Sequence, residues 1–183
     1  MGTGVNLQIR WHGRGGQGCF TAARVLGAAV TRAGLFALAF PTFGPERRGA
    51  PMAAFTKISD RKIQDRSEVR KPNVVVVLDH TLWGAAVLAG TDASGLALVN
   101  VPAGHELEPL GAARLVTFDA GALAERHLGR RIANTAMLGV LAALVEGVPF
   151  QALHAAVEQE FKPSLRQKNL TLLEAAYRSF EHG

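Results

Sequence analysis

The sequence predicts an α/β domain: a mostly parallel sheet with helices on both faces and a helical C-terminal part. Three observations carry that expectation. Strand-like apolar runs alternate with helical patterns from the N-terminus to Phe118, the order that builds parallel sheets. Val74 to Val77 are four consecutive valines, as in a central parallel strand buried on both faces. From Ala120 onward the pattern turns helical.

Leu7 to Trp11 alternate weakly and form a first strand that runs into a glycine cluster. The alanine-rich Cys19 to Ala33 has helical spacing and ends at Gly34. Leu35 to Phe40 is a short apolar strand stopped by Pro41, and the turn-rich Pro41 to Pro51 follows. Met52 to Ile58 reads as extended, and the charged Asp60 to Arg70 as an exposed connection. The valine strand, Pro72 to Leu78, ends at Asp79. A helix around Leu82 to Ala89 and a strand from Leu96 to Val101 complete another strand–helix–strand unit, with Leu115 to Phe118 as a final strand. Asn134 reads as the N-cap of an apolar helix running to Glu146, stopped by Gly147 and Pro149. The last segment sets Leu165, Leu172, Leu173, Ala176, Tyr177 and Phe180 on one helical face, an amphipathic cover.

A chain of 183 residues with 48% apolar content suffices for one compact domain spanning residues 1–183, and no repeat or low-complexity linker divides it. No apolar run approaches the roughly 20 residues of a membrane span. Met1 to Gln8 lacks the basic and apolar regions of a signal peptide, so no membrane contact and a cytoplasmic location are expected. The single cysteine, Cys19, excludes an internal disulfide, and one thiolate does not supply the ligand set of an iron–sulfur cluster.

The net charge of +5 is unevenly spread. From Met1 to Pro45 there is no carboxylate, while Arg10, Arg14, Arg24 and Arg32 are all positive. That uncompensated region suits a phosphate-bearing ligand or an acidic partner, or is a set of solvated arginines. Nucleic acid is not expected, because no binding motif is present and basic residues are not interleaved with aromatics.

Gly13, Gly15 and Gly18 form a G-x-G-x-x-G pattern between the first strand and the first helix. Glycine permits positive φ and close backbone approach, and a helix N-terminus offers free amides to an anion such as phosphate. Gly16 belongs to the same loop, and Arg14 and Gln17 could add side-chain donors. The other reading is a tight turn that needs its glycines for packing alone. Dinucleotide binding also calls for an acid at the end of the second strand. Here that strand ends Phe40-Pro41-Thr42, which counts against NAD and leaves NADP or another phosphorylated nucleotide.

Phe43 to Ala50 holds the adjacent Arg47 and Arg48. The pair could clamp a phosphate or carboxylate, form salt bridges across a subunit interface or lie solvated. Asp79 stands at a plausible ligand edge, where capping of the next turn is its simpler role. His12 reads as structural. No Cys–His pair, H-E-x-x-H, G-x-S-x-G or P-loop lysine is present, and no nucleophile or general base emerges.

In order, HGRGGQG before a helix, FPTFGPERRGAP, VVVVLD, LVN, NTAMLGV and F-K-x5-K-N resemble the gamma subunit or domain of the 2-oxoacid:acceptor oxidoreductases, a family that includes pyruvate:ferredoxin oxidoreductase. The resemblance runs from about Ile9 to Tyr177. It implies a Rossmann-like domain in a complex that oxidatively decarboxylates a 2-oxoacid to an acyl-CoA and passes the electrons to ferredoxin or a related acceptor. It further implies that thiamine diphosphate and iron–sulfur clusters reside on partners, the alpha, beta and ferredoxin-like delta subunits, and that this chain carries no catalytic group. By the same resemblance, Gly13, Arg14, Gly15, Gly16, Gln17 and Gly18 lie on the coenzyme A side of the site; Arg47 and Arg48, as an anion clamp, are the further candidate binding residues. FGPERRG is closer to the pyruvate-type branch. The alternatives from the residues alone are a stand-alone NADP-dependent reductase and a nucleotide-binding regulatory module.

Overall fold

The computed structural model describes residues 4–42 and 48–180. Among these the elements run β1 (Asn6–Arg14), α1 (Cys19–Arg32), β2 (Phe36–Pro41), β3 (Pro51–Ser59), β4 (Val74–Val77), a 3₁₀ turn (His80–Leu82), α2 (Ala85–Leu88), β5 (Leu96–Asn100), β6 (Arg114–Phe118), α3 (Ala120–Leu128), α4 (Asn134–Leu144), α5 (Phe150–Glu160) and α6 (Pro163–Arg178). No helix is long and apolar enough to cross a membrane among the described residues.

The strands form one sheet in the order β2-β3-β1-β4-β5-β6. β1, β4, β5 and β6 pair in parallel, while β3 runs antiparallel to both β1 and β2. The sheet is thus mostly parallel, and the Met52 to Ile58 run is the strand that departs. A parallel crossover needs about a dozen residues or more, and the connection from β2 to β3 is too short for one. Winding leaves β1 towards β2 on one side and proceeds from β4 to β6 on the other. The switch point therefore lies between β1 and β4, where ligands of such sheets bind.

Alternation along the strands builds two unequal faces. Ile9, Trp11, Val74, Val76 and Leu98 point into the large core shared with α1 and α3 to α6, among them Leu26, Met137, Leu141, Leu153 and Leu173. Val75, Val77, Val99 and Val101 point the other way, into a small cluster with Val87, Leu82, Trp83 and Leu107. Helices stand on both faces, but α2 and the 3₁₀ turn are the only helical cover of the second among the described residues.

Several elements differ from the sequence reading. The helix expected around Leu82 to Ala89 divides into the 3₁₀ turn and α2, and Pro41 closes β2 from within. Asn134 does not cap α4 but opens it: its side-chain Oδ1 accepts the Thr135 N–H at 2.9 Å, and its Nδ2 faces the Gly18 carbonyl at 3.5 Å. α4 ends at Leu144, because Val145 is already extended at φ −118° and ψ 112°. Within α6, Leu172, Leu173 and Ala176 are buried as expected, whereas Leu165 in the first turn remains 49% exposed. Tyr177 stacks on Phe150 at 4.1 Å, and Phe180 meets Phe118 edge-on at 5.4 Å.

Candidate functional site: the glycine turn and its crevice

β1 delivers the glycine turn to the carboxyl edge of the sheet. Gly13 is still in the strand, paired with Met52. A Cβ there would stand 3.3 Å from Gln17 Oε1 and 3.5 Å from both Cys19 Cβ and Leu78 Cβ, so its role is close packing. Gly15 donates its N–H to the Ala50 carbonyl at 2.9 Å and accepts from the Gly49 N–H at 3.1 Å, tying the turn to the approach to β3. Gln17 N–H returns to the Arg14 carbonyl at 3.0 Å. Gly16 has φ 95°, and no described residue approaches the point where a Cβ would project. Gly18, at φ 79°, would set a Cβ 2.3 Å from Asn134 Nδ2. Only glycine fits Gly18, for backbone and contact reasons together.

Arg14 and Gln17 are turned inward onto Asp79. Asp79 Oδ2 accepts from Arg14 Nε at 3.0 Å and from Gln17 Nε2 at 2.9 Å. Its Oδ1 accepts from Thr81 N–H at 3.0 Å and from Thr81 Oγ1 at 2.6 Å. Arg14 Nη2 donates to Thr81 Oγ1 at 2.8 Å, Nη1 to the Gly49 carbonyl at 3.2 Å, and the Arg14 N–H to Gln17 Oε1 at 2.7 Å. Burial opposes ionisation of Asp79, yet the hydrogen bonds from Thr81 and Gln17 and the Arg14 charge prevail and hold its pKa below the usual range. Asp79 does cap the following 3₁₀ turn, and it also braces the glycine turn. Backbone amides remain for an anion: among the described residues, Gly16 and Gly18 make none of the turn's N–H bonds, and the first amides of α1 have no partner within their helix.

Beside the turn, a crevice of about 180 Å³ opens at the carboxyl ends of β4 and β5. Gln17, Asp79, His80, Asn100, Gly121 and Arg131 are among its walls. Asn100 forms a rigid floor, donating to the Leu78 carbonyl at 2.9 Å and accepting from Gly121 N–H at 3.0 Å. Arg131 is shared between Asp119 at 3.1 Å and Glu125 at 3.0 Å. Larger concavities, about 390 Å³ around Lys57 and Asp65 and about 550 Å³ between α5 and α6, lie away from the turn and converge on no comparable set of groups.

Folding pairs two of the four N-terminal arginines with carboxylates and gives the other two neutral acceptors. Arg14 meets Asp79, Arg24 meets Glu160, and Arg32 meets Gln159. Arg10 is buried, donating to the carbonyls of Val69 at 3.3 Å, Val87 at 2.7 Å and Ala89 at 2.8 Å. The partners come from far along the chain, which no local charge count registers. Arg10 Nε also donates to His12 Nε2 at 3.1 Å. Burial, helped by the Arg10 charge, pushes His12 down to about 4, so the ring is a neutral acceptor. Burial pushes the Cys19 thiol up to about 12 despite a hydrogen bond from Ala54; a lone thiol of that kind does not suit a metal cluster. Arg48 is exposed ahead of β3, and Arg47 lies outside the described residues.

The family described as pyruvate ferredoxin/flavodoxin oxidoreductase matches residues 8–179. The chain belongs to that family. It is 40% identical to the common gamma subunit of the pyruvate/ketoisovalerate oxidoreductases of Thermococcus kodakarensis, over 93% of this chain and 95% of that one. It is 40% identical to pyruvate synthase subunit PorC of Methanothermobacter marburgensis, over 96% and 98%. The crystal structure of the Thermotoga maritima PorC subunit superposes with a TM-score of 0.81 at 34% identity, covering 94% and 96%. Within the family, then, this is a gamma-type chain, a subunit of a pyruvate or 2-oxoacid:ferredoxin oxidoreductase. The fold recurs at a TM-score of 0.76 and 19% identity in a 2-oxoglutarate:ferredoxin oxidoreductase of Magnetococcus marinus, solved with 2-oxoglutarate, coenzyme A and succinyl-CoA bound. There, 97% of this chain matches 31% of that one.

Sequence reasoning missed the brace made by Asp79, the approach of Asn134 to Gly18, and the crevice residues Asn100, Gly121 and Arg131. One signal was present. An aspartate directly after the buried valine strand falls beside β1 once β1 and β4 pair in parallel.

Proposed function

We infer that this subunit supplies the phosphate-binding part of a coenzyme A site in a 2-oxoacid:ferredoxin oxidoreductase complex. The complex oxidatively decarboxylates pyruvate or a related 2-oxoacid. One observation carries the reading: among the described residues, the glycine turn holds its side chains inward on Asp79 and leaves the Gly16 and Gly18 amides at the N-terminus of α1, with open space over Gly16. Membership of the family and the coenzyme A in the Magnetococcus marinus enzyme support the choice of anion. Arg14 and Gln17 shape the turn, while Gly13 and Gly15 fasten it to β3 and Leu78. Thiamine diphosphate and iron–sulfur clusters belong to the alpha, beta and delta partners, in the cytoplasm. The loop bearing Arg47 and Arg48 faces one of those partners.

The assembled complex tests this through Gly16. Asp and Asn both tolerate positive φ comparatively well, and no described residue crowds a Cβ at this position. Gly16→Asp should raise the KM for coenzyme A about tenfold, Gly16→Asn far less, and the 2-oxoacid decarboxylation half-reaction should hardly change. Equal effects of Asp and Asn would remove the anion from the turn.

A further inference from the structure

We propose that the end of the α4–α6 pair at which both helices begin is a docking surface for another subunit of the complex, one that presents carboxylates around an apolar centre.

Position comes first. α4 and α6 run parallel and in register: Thr135 Oγ1 donates to Asn169 Oδ1 at 2.9 Å, and one turn further on Gly139 lets the Leu173 carbonyl approach where a Cβ would clash. Both helices therefore start at the same end of the pair. Ile132 stands just ahead of Thr135 and Leu165 one turn ahead of Asn169, and they are 37% and 49% exposed. Among the described residues Phe36 is the other large apolar side chain exposed to that degree, and it lies elsewhere, at the start of β2. Asn134 joins this end to the glycine turn, its Nδ2 facing the Gly18 carbonyl.

Charge then selects the partner. The segments Arg126 to Val145 and Phe161 to Leu173 contain no carboxylate, and they carry Arg130, Arg131, Lys162, Arg166 and Lys168 around the two aliphatic side chains. Arg131 is held by Asp119 and Glu125. Arg130, Lys162, Arg166 and Lys168 form no salt bridge among the described residues. Helix stability does not account for Lys162, which is the N-cap residue of α6, where the helix dipole disfavours a cation. An apolar centre with a charged rim is the make-up of a protein interface, and a cationic rim calls for carboxylates opposite. Two aliphatic side chains offer no stacking platform to a nucleic acid. The apolar stripe of α6 is turned into the core at Leu172, Leu173 and Ala176, so the helix has no second apolar face to lay on a membrane. Relatives of the chain are subunits, which makes another subunit the occupant.

The purified complex tests the surface through the rate at which this subunit exchanges between labelled and unlabelled complexes, measured at low and high salt. Lys162→Glu with Lys168→Glu should speed exchange about tenfold at low salt and much less at high salt. Glu at the α6 N-cap suits the helix dipole, so the change is not a loss of the helix. Should that pair prevent assembly outright, Lys162→Ala with Lys168→Ala takes its place, with about a threefold effect and the same salt dependence. Leu165→Ala should speed exchange about fivefold at both salt concentrations, as expected for apolar contact. Arg114→Glu, at the start of β6 on the opposite edge of the sheet, should change neither rate. Unchanged exchange in the lysine variants and in Leu165→Ala overturns the proposal. An equal low-salt effect of Arg114→Glu also overturns it, because net charge alone would then be responsible. Binding of the intact complex to phosphatidylglycerol vesicles, abolished by Lys162→Glu with Lys168→Glu, would assign the surface to a membrane instead.

Discussion

The two faces of the sheet solve the problem of burial differently. The helical face is mainly apolar, with Leu26, Met137, Leu141, Leu153, Leu172 and Leu173 closing over Ile9, Trp11 and Val76. The opposite face has a small valine cluster over β4 and β5, while over β1 and β3 it buries the cationic side chains Arg10 and Lys57. Arg10 is satisfied by three carbonyls and the neutral His12; Lys57 reaches the Asp65 carbonyl at 3.2 Å and its carboxylate at 2.7 Å. These bonds fasten the Asp60 to Arg70 connection, Val69 and α2 to the sheet where no long helix lies. One face is thus held by area removed from water and the other by directional bonds, and the two should respond to different perturbations.

The largest expected effect is on the helical face. Leu141→Ala removes a fully buried side chain from the large core and should cost about 3–4 kcal/mol in denaturant unfolding, independent of pH. A loss below about 1 kcal/mol would show that the core collapses around the gap.

Acid should act on the other face. His12 titrates near 4 in the folded chain, against 6.5 when unperturbed. The unfolded chain therefore binds a proton first as pH falls. The stability that neutral His12 contributes is fully present above pH 6.5 and is lost as pH drops towards 4, by about 2 kcal/mol for this half-buried ring. His12→Gln should flatten that stretch of the stability–pH curve while leaving the cost of Leu141→Ala unchanged. An unaltered curve would free His12 from the network.

The smallest effect concerns the exposed pairs that join α1 to α5. Arg24 is 54% exposed where it meets Glu160, and Arg24→Ala should change unfolding by less than about 1 kcal/mol, less still in high salt. A larger, salt-resistant loss would mean that this pair carries packing as well as charge.

The strand and helix content was legible where periodicity was strong. β1, α1, the valine strand, β5 and the buried stripe of α6 follow from their residues, and so does the place of the glycine turn between β1 and α1. The reversed direction of β3 was not read from its composition, because apolar alternation is the same in either direction; the short connection after β2 decides it. The site was half legible. Gly16 and Gly18 need glycine for reasons a motif can state. The inward orientation of Arg14 and Gln17 depends on Asp79, which follows a strand, β4, that only sheet pairing brings alongside.

The sequence by itself determined the fold class, the glycine turn at a strand–helix junction and family membership, because these rest on local spacing and ordered motifs. Tertiary structure alone decided which charges are compensated, which donors remain for a ligand and where the crevice opens. Those depend on contacts between residues far apart along the chain, Arg14 with Asp79, Arg24 with Glu160 and Gly18 with Asn134, and Coulombic and hydrogen-bond energies follow distance in space, not separation in sequence.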